Sequence, residues 1–290
     1  MRHATLRAGL PALALLVLAG CSGGSAADSE AAVSSGDASA CPGEVLDVVV
    51  SVGAWSDVVR RLGGDCTTVT TIAPGTEAPA EVVPADRASF DAADLVVLNG
   101  ARLDGWAADA VAEAGDPVVV SAADVAGAQG GGSGPHLWYD PVVVPEVAQA
   151  VADELARLSP DAAPYFAAQH TAWTTELQPW LEAIAALEAG TDGRTFAATG
   201  EVLGRLAEAV GLTDVTPEDP AELEAAVRDG AVDVLIQAGD DELPDRLAEA
   251  ADAAEVPVVA VAEAPDEDAP FVEWQLAQLG ALADALAEGR

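Results

Sequence analysis

The chain has 290 residues, a formal net charge of -37 and only arginine among its 12 basic residues. So acidic a surface repels phosphate groups, which excludes binding to nucleic acid and direct binding to anionic lipid. A hydrophobic content of 51% is ample for a buried core, and the length fits two domains or one large domain.

The N-terminal segment has the pattern of a secretory signal. Arg2 and Arg7 precede a short apolar run, and small residues then lead to Cys21. The apolar run is too short to span a bilayer. The Leu-Ala-Gly-Cys sequence that ends the segment resembles a bacterial lipobox, although an ordinary signal peptide with an incidental cysteine is the alternative. We therefore predict a signal peptide over 1–20 and a lipid anchor at Cys21, which would hold the protein on the outer face of the cell membrane.

Residues 21–44 predict a flexible tether, because a stretch rich in serine, glycine, alanine and aspartate cannot bury enough apolar surface to order itself. Two cysteines, Cys41 and Cys66, remain once Cys21 is assigned to the anchor. An even pair in an oxidising compartment suggests a disulfide, with two unrelated thiols as the alternative.

From residue 45 the chain alternates between short β-branched strands and amphipathic helices, which is typical of a parallel sheet covered by helices. The predicted strands of this first lobe (45–160) are 45–52, 67–72, 95–100 and 117–121, and its predicted helices are 54–62, 86–93, 103–114 and 143–158.

A nearly continuous helical pattern over 162–189, which Pro179 should bend, predicts a linking helix at 161–190. A second alternation then predicts a C-terminal lobe at 191–290. Its strands are 195–199, 232–237 and 257–261, and its helices are 202–210, 221–228, 243–254 and 271–287. The predicted fold class is therefore α/β, with two βα lobes of parallel strands joined by one long helix.

One histidine lies in a rigid frame. His136 follows a glycine-rich run, within Pro-His-Leu-Trp-Tyr-Asp-Pro at 135–141. Neutral imidazole is a common ligand of first-row metals, although such a histidine can also be a packed turn residue. Ligands of parallel sheets usually bind at the carboxyl ends of the strands, which here would face a cleft between the lobes.

These features together resemble the solute-binding lipoproteins of zinc and manganese ABC importers. The segment 135–141 is similar to that family's Asp-Pro-His-x-Trp-x-Asp-Pro, and Ala-Ala-Asp-Leu-Val-Val-Leu-Asn-Gly at 92–100 is similar to its Ala-Asp-Ala-Asp-Leu-Val-Val-x-Asn-Gly. Leu-Asp-Gly-Trp at 103–106 and Tyr165 also fit. The resemblance covers roughly 45–290. It implies a monomer that captures a divalent metal for an ABC permease and contacts the membrane only through its lipid.

The resemblance also implies four metal ligands, two from each lobe, and it assigns one of them to His136. The loop that should supply the first has no histidine, and its only donors are two glutamates. The third position falls on Gly200, beside a glutamate, and the fourth falls in the acidic run 266–268. The candidate ligands are therefore His136, Glu77, Glu81, Glu201, Asp266 and Asp268.

One imidazole with carboxylates suits Mn²⁺ or Fe²⁺ at least as well as Zn²⁺, so the implied cargo is one of these three metals. The alternative is a family member that has lost its metal site and acts as a surface interaction, adhesion or accessory transporter protein. The sequence contains no Gly-x-Ser-x-Gly, no Walker loop and no usable His/Cys pair, so we do not predict an enzyme. We interpret His170 as a surface or packing residue and the six tryptophans as core.

Overall fold

The structure is a computed structural model that describes residues 41–75, 82–129, 134–191, 193–200, 202–239, 243–266 and 269–288. The predicted signal peptide, Cys21 and most of the predicted tether lie outside these residues. Within them, two α/β lobes are joined by one long helix, so the predicted fold class is confirmed.

The first lobe is built on a parallel sheet with strand order β2-β1-β3-β4. The strands are β1 Leu46–Val52, β2 Thr67–Ala73, β3 Leu95–Leu98 and β4 Val118–Ser121. The helices are α1 Ser56–Gly63, α2 Pro84–Ala92, α3 Gly105–Glu113, α4 Ala122–Gln129 and α5 Val143–Leu158.

Both faces of this sheet are covered, which explains the unbroken apolar runs in its central strands. Successive side chains of β1 point to opposite faces. Val48 and Val50 belong to the main core, whereas Val49 packs in a smaller cluster with Phe90 of α2 and Ala107 of α3. A strand buried on both sides cannot show the polar alternation of a half-exposed strand.

The predicted helix at 143–158 matches α5 exactly in its bounds, but α4 was not predicted. Its sequence, Ala-Ala-Asp-Val-Ala-Gly-Ala-Gln, has no stripe of large apolar residues, and a glycine-rich run follows it. Helical periodicity is the signal on which such a prediction depends, and small residues hardly produce it.

The two lobes are linked by α6, Ala163–Glu188, a helix of 26 residues that continues through Pro179. At 1.5 Å per residue it is about 39 Å long. Its inner side buries Phe166, Trp173 and Trp180, while His170 is partly buried, which fits a surface or packing residue. The helix packs against α1 and α5 of the first lobe and also contacts the last helix of the second lobe.

Gly64 ends α1 where α6 passes close by. Its φ of +50° lies in the left-handed region, which favours glycine. A Cβ at this position would lie 2.2 Å from the hydroxyl oxygen of Tyr165, and that oxygen accepts a hydrogen bond from the Asp65 N–H at 2.9 Å. The glycine therefore allows both the turn and the close approach of the linking helix.

The second lobe repeats the topology of the first, with parallel strand order β6-β5-β7-β8. The short strand β6 was not predicted, because two residues give no period to read. The strands are β5 Thr195–Ala198, β6 Thr213–Asp214, β7 Val234–Ala238 and β8 Val258–Val261, and the helices are α7 Gly204–Ala209, α8 Pro220–Arg228, α9 Asp245–Ala254 and α10 Phe271–Glu288.

A single apolar cluster runs through both lobes and the linking helix. It contains Val50 of the first sheet, Trp180 of α6 and Ile236 of the second sheet. Five of the six tryptophans are buried and Trp106 is partly buried, which agrees with their prediction as core. None of the helices in the described ranges is long and apolar enough to cross a membrane.

The predicted disulfide between Cys41 and Cys66 is present. It joins the segment ahead of β1 to the residue that precedes β2, across a sequence separation of 25. Cys66 is fully buried in the main core, so the bond ties the start of the described chain to that core.

Replacement of Cys41 and Cys66 together by alanine is expected to lower the free energy of unfolding by about 3 kcal/mol, because the unfolded chain regains the entropy of a 25-residue loop. Urea denaturation measures the difference. A reducing agent should lower the stability of the wild type by a similar amount and leave the double variant unchanged. A double variant as stable as the oxidised wild type would contradict the prediction.

Candidate functional site

His136 lies in a short loop between the two lobes, just before a 3-10 turn at Leu137–Tyr139. The three turn residues are buried and anchor the loop in the core. The His136 carbonyl accepts a hydrogen bond from the Tyr139 N–H at 3.2 Å, and the imidazole stands edge-on to the Trp138 ring at 5.2 Å between centroids. Only 7% of the His136 surface is exposed, so protein atoms surround most of this residue.

Asn99, just after β3, connects this loop to the first lobe. Its side-chain amide donates to the carbonyls of Pro135 at 2.8 Å and Gly100 at 3.1 Å, and its Oδ1 accepts from the indole N–H of Trp55 at 3.1 Å. The residue directly before His136 is therefore fixed to the carboxyl end of the sheet.

Asp104 in turn fixes the segment that carries Asn99. Its Oδ2 accepts from the Ser51 hydroxyl at 2.5 Å and from the Asn99 N–H at 2.7 Å, while its Oδ1 accepts from the Gly100 N–H at 2.8 Å. The side chain is 1% exposed. Because Ser51 is in β1 and Asn99 follows β3, this one carboxyl group joins the ends of two neighbouring strands.

The second lobe holds the same loop from the other side. The Gln275 side-chain amide donates to the Trp138 carbonyl at 2.9 Å. The Tyr139 hydroxyl donates to the Ala262 carbonyl at 2.6 Å and accepts from the Gln278 amide at 3.1 Å. Contacts from α10 and from the end of β8 therefore fix a loop that the first lobe supplies.

Burial raises the pKa of the Tyr139 hydroxyl well above its ordinary value, and the nearby charge of Glu263 adds to this rise. The hydrogen bond from the Gln278 amide lowers this pKa, but burial is the larger effect. The hydroxyl therefore remains a donor to the Ala262 carbonyl throughout the physiological pH range.

Aromatic rings connect the His136 loop to the linking helix. Tyr139 contacts Trp274 of α10, with ring centroids 5.5 Å apart, and Trp274 contacts Phe271 at 5.9 Å. Phe271 then meets Trp173 at 5.7 Å and Trp180 at 6.2 Å, both on α6. Such packed aromatic pairs resist relative movement of the elements that carry them.

Among the candidate metal ligands, the structure describes His136 and Asp266. Asp266 lines a cavity of about 150 Å³ together with Asp57, Arg60 and Thr71 of the first lobe, and His136 is not part of that lining. The other candidates, Glu77, Glu81, Glu201 and Asp268, lie outside the described residues. Within the described ranges, no three His, Cys, Asp or Glu side chains converge in a group that could hold a metal ion.

Two placements were not anticipated from the sequence. Glu263, which was not among the candidate ligands, follows Ala262, the partner of the Tyr139 hydroxyl, and its charge acts on that hydroxyl. Gly200, the third ligand position in the resemblance, lines a cavity of about 660 Å³ in the second lobe with Thr199 and Thr216. No local pattern marked Glu263, because its neighbour across the interface is 124 residues away in sequence.

Comparisons with known proteins identify relatives of this chain. A manganese-binding lipoprotein, MntA, of Halalkalibacterium halodurans is 31% identical over 142 residues, which cover 47% of each chain. The match therefore spans about half the length of that relative.

Two solved structures resemble most of the chain, and at their low sequence identities this likeness shows a shared fold. A mutant of the laminin-binding adhesin Lmb from Streptococcus agalactiae has a TM-score of 0.67 and 23% identity. The Mn-bound periplasmic metal binding protein from Candidatus Liberibacter asiaticus has a TM-score of 0.70 and 18% identity. Each match covers 83% of this chain and 99% of the other.

A family model described as zinc-uptake complex component A, periplasmic, matches residues 48–285. This range runs from the first strand to the last helix and includes the His136 loop. The chain therefore belongs to the zinc-uptake complex component A family of periplasmic proteins.

Proposed function

We propose that this chain is the extracytoplasmic substrate-binding component of a metal ABC importer, which captures Mn²⁺, Zn²⁺ or Fe²⁺ between its lobes and delivers it to the permease. The observation that carries the proposal is the placement of His136: a nearly buried residue, on a loop that is held from both lobes, at the carboxyl end of the first sheet. Family membership supports the same role. The chain would bind and release its cargo without catalysing a reaction.

His136 is the best-supported ligand in this proposal. Carboxylates would complete the set, with Glu77, Glu81, Glu201, Asp266 and Asp268 as the candidates from the sequence and Glu263 as a further candidate from its position beside Tyr139. A site of one imidazole and several carboxylates favours Mn²⁺ or Fe²⁺ no less than Zn²⁺.

The continuous core supports a mechanism with small movements. Since one apolar cluster and a line of aromatic rings join the lobes to α6, wide hinge opening would break many buried contacts. We propose that cargo leaves through small shifts of the lobes and local movement of loops.

The proposal also includes the processing and layout of the chain. Residues 1–20 are removed, Cys21 is lipidated and residues 21–44 form a tether. The lobes are 45–160 and 191–290, and the linking helix between them is 161–190.

Calorimetric titration of the mature protein with Mn²⁺, Zn²⁺ and Fe²⁺ tests this function. His136→Ala is expected to weaken binding of the preferred metal by about 100-fold or more, because loss of a ligand should cost at least as much as loss of a supporting residue. His170→Ala, at a partly buried position on the linking helix, is the matched control and should bind as the wild type does.

Metal binding that survives His136→Ala unchanged would refute the proposed site. A wild type that binds none of the three metals at micromolar concentration would instead favour the alternative, a family member that serves as a surface interaction or accessory transporter protein.

A further inference from the structure

Arg205 of α7 contacts both ends of the His136 loop. Its Nη1 lies 3.0 Å from Oδ2 of Asp140, and its Nε and Nη2 donate to the Gly134 carbonyl at 3.3 and 3.2 Å. Gly134 and Asp140 stand on either side of His136 in the sequence. One guanidinium group from the second lobe therefore closes a loop that belongs to the first lobe.

Asp140 extends this arrangement to α5. While its Oδ2 pairs with Arg205, its Oδ1 accepts from the N–H groups of Val142 at 2.9 Å and Val143 at 3.2 Å. These donors belong to the start of α5, whose first N–H groups have no partner within the helix. The far end of the loop is thus fixed to a helix and to the second lobe by the same carboxylate.

The contact is well suited to holding a fixed geometry. The Arg205 side chain is 9% exposed and that of Asp140 is 20% exposed, so water screens the pair less than it would on the surface. A planar guanidinium can bind a carboxylate and a carbonyl at the same time, whereas an ammonium group is a point charge on a flexible stem. The choice of arginine therefore matters beyond its charge.

We propose that Arg205 is the positioning residue of His136: by bridging Gly134 and Asp140 it sets the orientation in which the imidazole meets the cation. The part of this inference that concerns the metal cargo rests on the proposed function. The bridge involves only residues of the chain, so it is testable in the metal-free protein.

Nuclear magnetic resonance of the metal-free mature protein provides the first test, because only His136 and His170 remain once residues 1–20 are removed. In Arg205→Leu the imidazole signals of His136 should shift or broaden, while those of His170 stay in place. Arg205→Lys should show nearly the same change, because lysine keeps the charge but cannot bridge both partners. Arg157→Leu, which removes an exposed pair with Glu154, is the control and should leave both histidines unchanged.

Calorimetric titration with Mn²⁺ provides the second test. Arg205→Leu should weaken binding by about 10- to 100-fold, as expected for a residue that orients a metal ligand. Asp140→Asn, which retains an oxygen for the start of α5, should weaken binding similarly. The double variant should then lose little more than either single variant, because the two residues act through one contact.

Unchanged His136 signals in both Arg205→Leu and Asp140→Asn would overturn the inference. So would tighter Mn²⁺ binding by Arg205→Leu, which would show that the guanidinium mainly repels the cation. If Arg205→Leu fails to fold, as judged by circular dichroism, Asp140→Asn and Arg205→Lys decide the question. A wild type that binds no metal would defeat the proposed function, while the metal-free spectra would still decide the role of Arg205.

Discussion

Asp104→Ala is expected to lower the free energy of unfolding by about 4 kcal/mol, because it leaves buried hydrogen-bond donors without an acceptor. The three donors are the Ser51 hydroxyl and the backbone N–H groups of Asn99 and Gly100. The side chain is almost completely buried, so water cannot easily replace it. Urea denaturation followed by tryptophan fluorescence measures the loss.

Two further variants make this prediction specific. Asp104→Asn retains one acceptor oxygen but turns an amide N–H₂ toward a donor, so a loss of about 2 kcal/mol is expected. Asp94→Ala removes an exposed carboxyl group that accepts a single bond from the Asp47 N–H, and it should cost about 1 kcal/mol or less. Equal losses in Asp104→Ala and Asp94→Ala would show that the buried network does not stabilise the lobe as proposed.

The same network should also affect the candidate site. Asn99 connects Asp104 to the Pro135 carbonyl, and Pro135 precedes His136. A loss of metal affinity in Asp104→Asn under conditions in which the protein remains folded would therefore support the placement of the site at this end of the sheet.

Phe271→Ala is expected to lower the free energy of unfolding by about 4 kcal/mol, because it opens a cavity in the middle of the aromatic cluster. Phe271 is 0% exposed and contacts Trp173, Trp180 and Trp274. It thereby joins α10 to the linking helix. Equilibrium denaturation measures the effect.

Phe271→Leu keeps most of the volume and should cost about 1.5 kcal/mol. Val258→Ala, at a position that is 40% exposed, is the control for loss of apolar surface and should change stability by about 0.5 kcal/mol. If Phe271→Ala costs no more than Val258→Ala, the rings do not hold the lobes and the linking helix together, and the argument against wide opening of the cleft fails.

Local patterns were sufficient for most of the secondary structure. The helices α5 and α6 and the strands β1 and β3 have long apolar or periodic signals, and the structure places them within a few residues of their predicted bounds. The misses, α4 and β6, are an alanine- and glycine-rich segment and a strand of two residues, neither of which carries a readable period.

Less of the candidate site than of the secondary structure could be predicted from the sequence. The frame around His136 identified the loop, since histidine, tryptophan and Asp-Pro in that order form a distinctive local pattern. The candidate carboxylate ligands are not enclosed by a comparable local pattern, so only the family resemblance assigned their positions. Asp266 lines a cavity whose lining does not include His136, and its role as a ligand stays a prediction.

The sequence by itself determined the two α/β lobes, the linking helix and the His136 loop, because each depends on residues close together in the chain. Only the tertiary structure decided what holds that loop. Arg205 reaches it from 65 residues beyond Asp140, and Gln275 reaches it from 137 residues beyond Trp138. Such contacts arise when the lobes pack against each other, and packing of distant segments leaves no periodic trace in the sequence.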